Sequence, residues 1–130
     1  MKWLVDTHLL LWHGVGHSST PRFMQQLWED PSAEIFFSAA AVWEVAIKAA
    51  KSGAEGSFPY DPHVVHDTWL SNGLIEVPIS AHHARLVTAL PPIHRDPFDR
   101  IMIAQAMIEG FTLVTHDHSV AQYPGPIRHV

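Results

Sequence analysis

The sequence predicts an α/β domain, a three-layer α/β/α arrangement around a central, mainly parallel β-sheet, as a single domain over residues 1–130. Three observations carry this prediction. Five short β-rich runs alternate with five helical patterns, which demands crossover connections and a sheet covered on both faces. Each helical pattern opens on a residue suited to capping it. The 130 residues, 47% of them hydrophobic, hold no internal repeat or low-complexity stretch and suffice for one core without disulfides or a structural metal.

The first strand is Lys2–Val5, whose apolar run Trp3, Leu4, Val5 ends at Asp6. A helix follows over residues 20–29, with Thr20 as cap and Pro21 at the first helical position, where its missing N–H is no loss. Residues 34–37 form the second strand, and Ser38 caps a helix over 39–51. The stretch 51–60, with Gly53, Gly56 and Pro59, reads as a loop. Asp61 and Pro62 open a helix over 62–70, residues 75–79 form a strand, and Ser80 caps a helix over 81–90. Asp96 and Pro97 open the helix Pro97–Glu109, which Gly110 ends in a left-handed conformation. Thr112–Thr115 and Ile127–His129 complete the sheet.

Composition narrows the function classes. Thirteen acidic against eight basic residues give a net charge of −5, which argues against binding nucleic acid through a broad basic face. A metal-bridged nuclease remains compatible, because carboxylates seated on divalent cations no longer act as free negative charge. The absence of Cys excludes a disulfide scaffold and a Cys-based zinc site. The opening MKWLVDTHLLLW has only a short apolar run, broken by Asp6 and His8, with no cleavage pattern and no span-length stretch, so the expected location is the cytoplasm, away from membranes.

In an open parallel sheet, ligands bind outside the carboxyl ends of the strands, so acids there carry weight. Asp6 and Asp117 both lie just past a predicted buried strand, and adjacent strands would bring their carboxylates together. The plain alternative is that each starts a turn or caps a short helix. Glu44 sits inside Ala39–Ile47 of an almost wholly apolar helix, where a carboxylate needs a cation. Lys48, four residues on, is one candidate, but an exposed pair contributes only about 0.3–0.5 kcal/mol. A metal ion is the other. Asp96 and Asp99 lie at i and i+3 at the start of the last long helix; Asp96 is a ready cap, and Asp99 either pairs with Arg95 or Arg100 or points into the acid cluster.

Gathered acids repel one another and raise their proton affinities, and a hard divalent cation reverses that penalty. With oxygen donors and no thiolate, Mg²⁺ with Mn²⁺ as substitute fits best, and phosphodiester cleavage by a metal-activated water follows. Thr7 and Thr115 are placed to hold the acids or metal-bound waters, or simply to pack at strand ends. Other constellations are weaker. The 11 His include His13/His17, His82/His83 and His116/His118, but no HExxH. His94-Arg95-Asp96 lacks the Asn a kinase loop needs, since position 101 is Ile. A receiver-like signalling module needs a late Lys, and none follows Lys51; a haloacid-dehalogenase-like phosphatase needs a second Asp where His8 stands.

Four segments together resemble the PIN-domain ribonucleases, specifically VapC-type toxins of toxin–antitoxin pairs: LVDTHLLLW (4–12), SAAAVWEVAIK (38–48), LPPIHRDPFDRIMIAQA (90–106) and TLVTHDHSV (112–120). None is decisive alone; their joint order is specific. The resemblance implies a PIN fold, Mg²⁺- or Mn²⁺-dependent endoribonuclease activity, and a catalytic, metal-binding quartet of Asp6, Glu44, Asp99 and Asp117, with Asp96 as an extra acid. It also implies a homodimer and a cognate VapB-like antitoxin that masks the acid site and represses the shared operon. Lys48, Arg95 and Arg100 are the candidates for contacting the RNA substrate, and Trp12, Phe23 and Trp28 for core packing or a partner surface. The departures from the family pattern are His116 and His118 around Asp117, and Ala50 with residues 54–56. A catalytically silent PIN-type binding module is the alternative within the family, and its quartet would be broken.

Overall fold

The computed structural model describes residues 1–53 and 56–130. Five strands, β1 (Lys2–Val5), β2 (Glu34–Ser38), β3 (Ile75–Val77), β4 (Thr112–Thr115) and β5 (Ile127–His129), form one parallel sheet in the order β3-β2-β1-β4-β5. Successive residues of the central strands point to opposite faces and enter different cores. Val5, Phe37 and Val114 join Leu9, Met24, Val45 and Trp69 on one side. Leu4, Phe36 and Leu113 join Met102, Ile103 and Ala106 on the other. The near-continuous apolar strands are what a sheet buried on both faces requires.

The helices are α1 (Thr7–Val15), α2 (Arg22–Glu29), α3 (Ala39–Ser52), α4 (Pro62–Ser71), α5 (Ala81–Leu86) and α6 (Pro97–Glu109). Ser38, Asp61, Ser80 and Asp96 cap α3, α4, α5 and α6 through their side chains, and Gly110 closes α6 at φ 74°, all as the sequence predicts. No helix is long and apolar enough to cross a membrane among the described residues.

One helix is added to the predicted elements and several boundaries move. Helix α1 was not anticipated: its Leu9-Leu10-Leu11-Trp12 run gives no polar stripe to set against an apolar one, so the 3.6-residue period is hidden. Helix α2 begins at Arg22 because Pro21 keeps an extended ψ of 147° and serves as the cap position, which leaves the Thr20 hydroxyl buried without a partner. β3 stops at Val77, since Pro78 has no N–H for the ladder. The helix expected over 81–90 tightens after Leu86 into a 3₁₀ turn, Val87–Ala89, whose Val87 carbonyl accepts from Arg100. Helix α3 runs one residue past its predicted end, to Ser52, into the predicted loop, of which residues 54 and 55 lie outside the described residues.

The order β3-β2-β1-β4-β5 places β1 between β2 and β4, whereas the doubly wound signalling fold runs 2-1-3-4-5. This topology removes the receiver-like alternative. It also fixes the switch point, where chain connections depart in opposite directions, between the carboxyl ends of β1 and β4.

Candidate metal centre

Asp6 and Asp117 leave the sheet at that switch point. Val5 pairs with Val114 in register, and the Asp6 N–H donates to the Val114 carbonyl at 3.0 Å, so the two strand ends are level. The Asp6 carboxylate then does two things. Oδ1 accepts the Leu9 N–H at 3.0 Å and caps α1; Oδ2 accepts the His116 N–H at 3.2 Å and ties β1 to the β4 exit. Asp117 Oδ1 accepts the amides of Ser119 (2.7 Å) and Val120 (3.2 Å). The capping alternative therefore describes one oxygen of each acid, and Asp117 Oδ2 is left facing the cluster.

Thr115, fully buried at the end of β4, accepts the Asp117 N–H at 3.0 Å, and its hydroxyl lowers the proton affinity of the Asp6 carboxylate. The Thr7 hydroxyl, at the first position of α1, is buried with no hydrogen-bond partner.

Glu44 comes from α3, which starts directly after β2. It is 3% exposed; Oε2 accepts from Lys48 Nζ at 2.9 Å and Oε1 has no partner. A buried carboxylate with an orphaned oxygen is costly unless a cation or proton completes it. Asp99 comes from the first turn of α6, with Asp96 behind it as the cap whose Oδ1 accepts the Phe98 N–H at 2.9 Å.

The side chain that sequence reasoning missed is His94. Its Nε2 lies 2.9 Å from Asp99 Oδ2 and 3.7 Å from Asp117 Oδ2, and the three groups offer donor atoms within 4.8 Å of one another. No spacing signal marks it, because it sits on a loop and reaches the site through folding of that loop onto α6. The loop is held by its backbone. The His94 N–H donates to Tyr123 Oη at 2.7 Å, and Arg100 donates to the carbonyls of Val87 (3.0 Å), Leu90 (3.5 Å), Pro91 (3.0 Å) and His94 (3.4 Å) and to Tyr123 Oη (3.0 Å). Arg100, a candidate for RNA contact, therefore has its guanidinium engaged by the chain itself. Lys48 pairs with Glu44, and Arg95 is exposed beside Trp43 and Phe98.

The electrostatics register the crowding. Burial raises the Asp99 carboxyl to about 7, the neighbouring charges of Asp96, Asp6 and Glu44 add to the rise, and His94 opposes it. Burial also raises Asp6, against the lowering hydrogen bonds from Leu9, Thr115 and His116. Of the expected quartet, Asp99 and Asp117 come together and share His94, whereas Asp6 and Glu44 stand outside that close group and reach Asp99 through their charge. A donor set of carboxylate oxygens and one imidazole, with an unpaired buried Glu44 oxygen, fits a divalent cation.

A stability prediction follows. A carboxyl raised in the fold holds its proton more tightly than in the unfolded chain, so the native state binds the extra proton between the two values. Metal-free protein is expected to lose stability as pH rises from about 4 to about 7, and Asp99→Asn to flatten that slope and gain roughly 1–3 kcal/mol at pH 7.5. Thermal melts with EDTA at pH 5 and pH 7.5 measure this; equal slopes for both proteins would contradict it.

Beside the acids, a cleft of about 220 Å³ is lined by Asp6, His8, Trp12, His116 and Asp117. Trp12 stacks on His17 with centroids 5.3 Å apart and meets His116 edge-on at 5.3 Å. Trp12, Phe23 and Trp28 are each partly buried against the core beneath α1 and α2.

Comparison with known proteins accords with this architecture. The profile of the PIN domain family matches residues 3–126. The fold is similar to that in a VapBC2 complex from Rickettsia felis bound to a DNA fragment from its promoter (TM-score 0.73, 18% identity, covering 100% of this chain and 99% of that one). It is also similar to DNA-bound VapBC from Salmonella typhimurium (0.70, 17%, 99% and 98%) and to a toxin–antitoxin complex from Klebsiella pneumoniae (0.64, 21%, 98% and 98%). No curated protein matches the sequence.

Proposed function

The chain belongs to the PIN domain family, and from that premise we propose that it is a divalent-metal-dependent endoribonuclease, the VapC-type toxin of a toxin–antitoxin pair. The observation that carries the proposal is the grouping of Asp99, Asp117 and His94, with the charges of Asp6 and Glu44 acting on Asp99 and Glu44 Oε1 buried and unpaired. These four acids are the catalytic, metal-holding set. Mg²⁺ or Mn²⁺ bound there would supply an acidified water and neutralise charge developing on the scissile phosphate.

The remaining chemistry belongs to the chain. The amides of Leu9 and His116 hold the Asp6 carboxylate, and those of Ser119 and Val120 hold Asp117, so neither has to reorganise on substrate binding. Thr115 holds the Asp117 amide, and the Thr7 hydroxyl is available to a water beside Asp6. Lys48 offsets the charge of Glu44, while Arg95, exposed at the edge of the cleft beside Trp43, is the remaining candidate to meet the RNA backbone. The aromatic wall of Trp12 and His116 beside Asp6 suits an unpaired base, which favours single-stranded RNA. Trp12→Ala is expected to raise KM by about fivefold or more with kcat held, in line with the stacking of one base; an unchanged KM would remove the wall from the substrate path.

The partner reading rests on the likeness to VapBC complexes together with the acidic site. A VapB-like antitoxin would cover the cluster with a basic side chain, in the cytoplasm. The homodimer expected of such a toxin would cover the apolar cleft formed by Trp43, Ile79, Phe98 and Ile101, where Trp43 is 58% exposed. Trp43→Arg is then expected to halve the mass seen by light scattering.

The deciding experiment incubates the purified protein with a mixture of structured RNAs and Mg²⁺ or Mn²⁺. Cleavage that EDTA abolishes and excess metal restores supports the proposal. Absence of cleavage of any RNA, together with harmless expression in cells, would leave a binding role instead.

A further inference from the structure

One donor in the cluster is not an oxygen. His94 Nε2 lies 2.9 Å from Asp99 Oδ2 and 3.7 Å from Asp117 Oδ2. Around one six-coordinate dication with bonds of about 2.1 Å, neighbouring donors are about 3 Å apart and opposite donors a little over 4 Å. The first separation is that of the hydrogen bond joining the pair and equally of neighbouring ligands, the second exceeds the neighbour spacing by less than about 1 Å, and all three donor atoms lie within 4.8 Å of one another, so a small inward shift would seat one ion among them.

The position of the imidazole is built. Its loop is fixed to α6 and to Tyr123 through backbone groups: Tyr123 Oη bonds the His94 N–H and carbonyl, and Arg100 clamps the carbonyls of Val87 and Pro91. Two buried polar atoms lack partners, Glu44 Oε1, whose charge acts on Asp99, and Thr7 Oγ1, next in the chain to Asp6. They are an observation separate from the His94 triad, and they too point to a missing ligand.

We propose that His94 is a nitrogen ligand of the metal centre, and that it makes the centre select a transition-metal dication such as Mn²⁺ over Mg²⁺. Carboxylates and water serve both ions, whereas imidazole suits transition metals and adds little to a hard ion that keeps its oxygen shell. The inference rests on the acid cluster being a metal site, and it names the residue and the class of metal which that reading leaves open.

The test is Mn²⁺ binding to the full chain, followed by electron paramagnetic resonance and competed with Mg²⁺. Wild type is expected to show nitrogen coupling of a bound imidazole. In His94→Asn that coupling should vanish, Mn²⁺ affinity fall about tenfold or more, and Mg²⁺ affinity stay within about threefold. Because the loop is anchored through the His94 backbone, the substitution leaves those anchors in place; His94→Gln is the second variant, and the wild-type nitrogen coupling decides the matter without either. Mn²⁺ bound with no nitrogen coupling, or an equal Mn²⁺-to-Mg²⁺ ratio in wild type and variant, would overturn the role of His94 while leaving the metal centre standing. Failure of wild type to bind either ion would overturn both.

Discussion

Asp6→Asn is expected to abolish RNA cleavage, by more than about 100-fold, while leaving the fold intact. Loss of a group that merely supports a metal ligand costs about 10–100-fold, and Asp6 is one of the acids proposed to hold the metal itself. The stability side separates this role from capping. Asn keeps an oxygen for the Leu9 N–H, so α1 remains capped, and it removes a buried carboxyl whose ionisation burial opposes. What it loses is the acceptor for the His116 N–H. The two changes offset, and the melting temperature should move by only a few degrees. Asp6→Ala, by contrast, gives up the cap as well and should cost about 1 kcal/mol more. Gel-resolved cleavage measured beside a thermal melt distinguishes the readings: full activity in a stable Asp6→Asn would mean that Asp6 is a helix cap and nothing else.

Most of the architecture and much of the site could be read in advance because both depend on local rules. Alternating strands and capped helices specify a parallel sheet, and a parallel sheet specifies where ligands bind, so acids immediately after strands could be singled out. Asp6 and Asp117 were legible for that reason. Glu44 was legible as a charge on an apolar helix. The parts that were not legible depend on contacts between distant segments. Helix α1 hides its period in an all-apolar run, so the cap at Asp6 was visible as an option but its helix was not. His94 has no pattern of its own; it becomes part of the site only because the loop before α6 is folded back by Arg100 and Tyr123, 23 residues apart in the chain. Arg100 shows the same limit, since a basic residue beside acids looks like a substrate contact until the carbonyls its guanidinium holds are known.

Arg100→Ala is expected to cost about 2–4 kcal/mol of stability, which for a chain of this length lowers the melting temperature by roughly 10 °C. The guanidinium donates to four carbonyls of the loop between α5 and α6 and to Tyr123 Oη, and it lies over the Tyr123 ring at 5.9 Å. Hydrogen bonds to a charged donor contribute about 1.5–3 kcal/mol each when buried, and partial exposure lets water recover part of that when the donor is removed. Lys cannot replace the fork: a single ammonium reaches fewer of these acceptors, so Arg100→Lys should recover less than half of the loss. The same variant should lose Mn²⁺ affinity although Arg100 touches no acid of the cluster, because His94 is carried on the segment that Arg100 restrains. A surface arginine serving only to bind RNA behaves differently. Its removal raises KM and weakens the salt dependence of binding, yet leaves melting and metal affinity unchanged. Calorimetric melts with and without Mn²⁺ therefore choose between a strut and a substrate contact, and an Arg100→Ala protein that melts like wild type would return Arg100 to the RNA path.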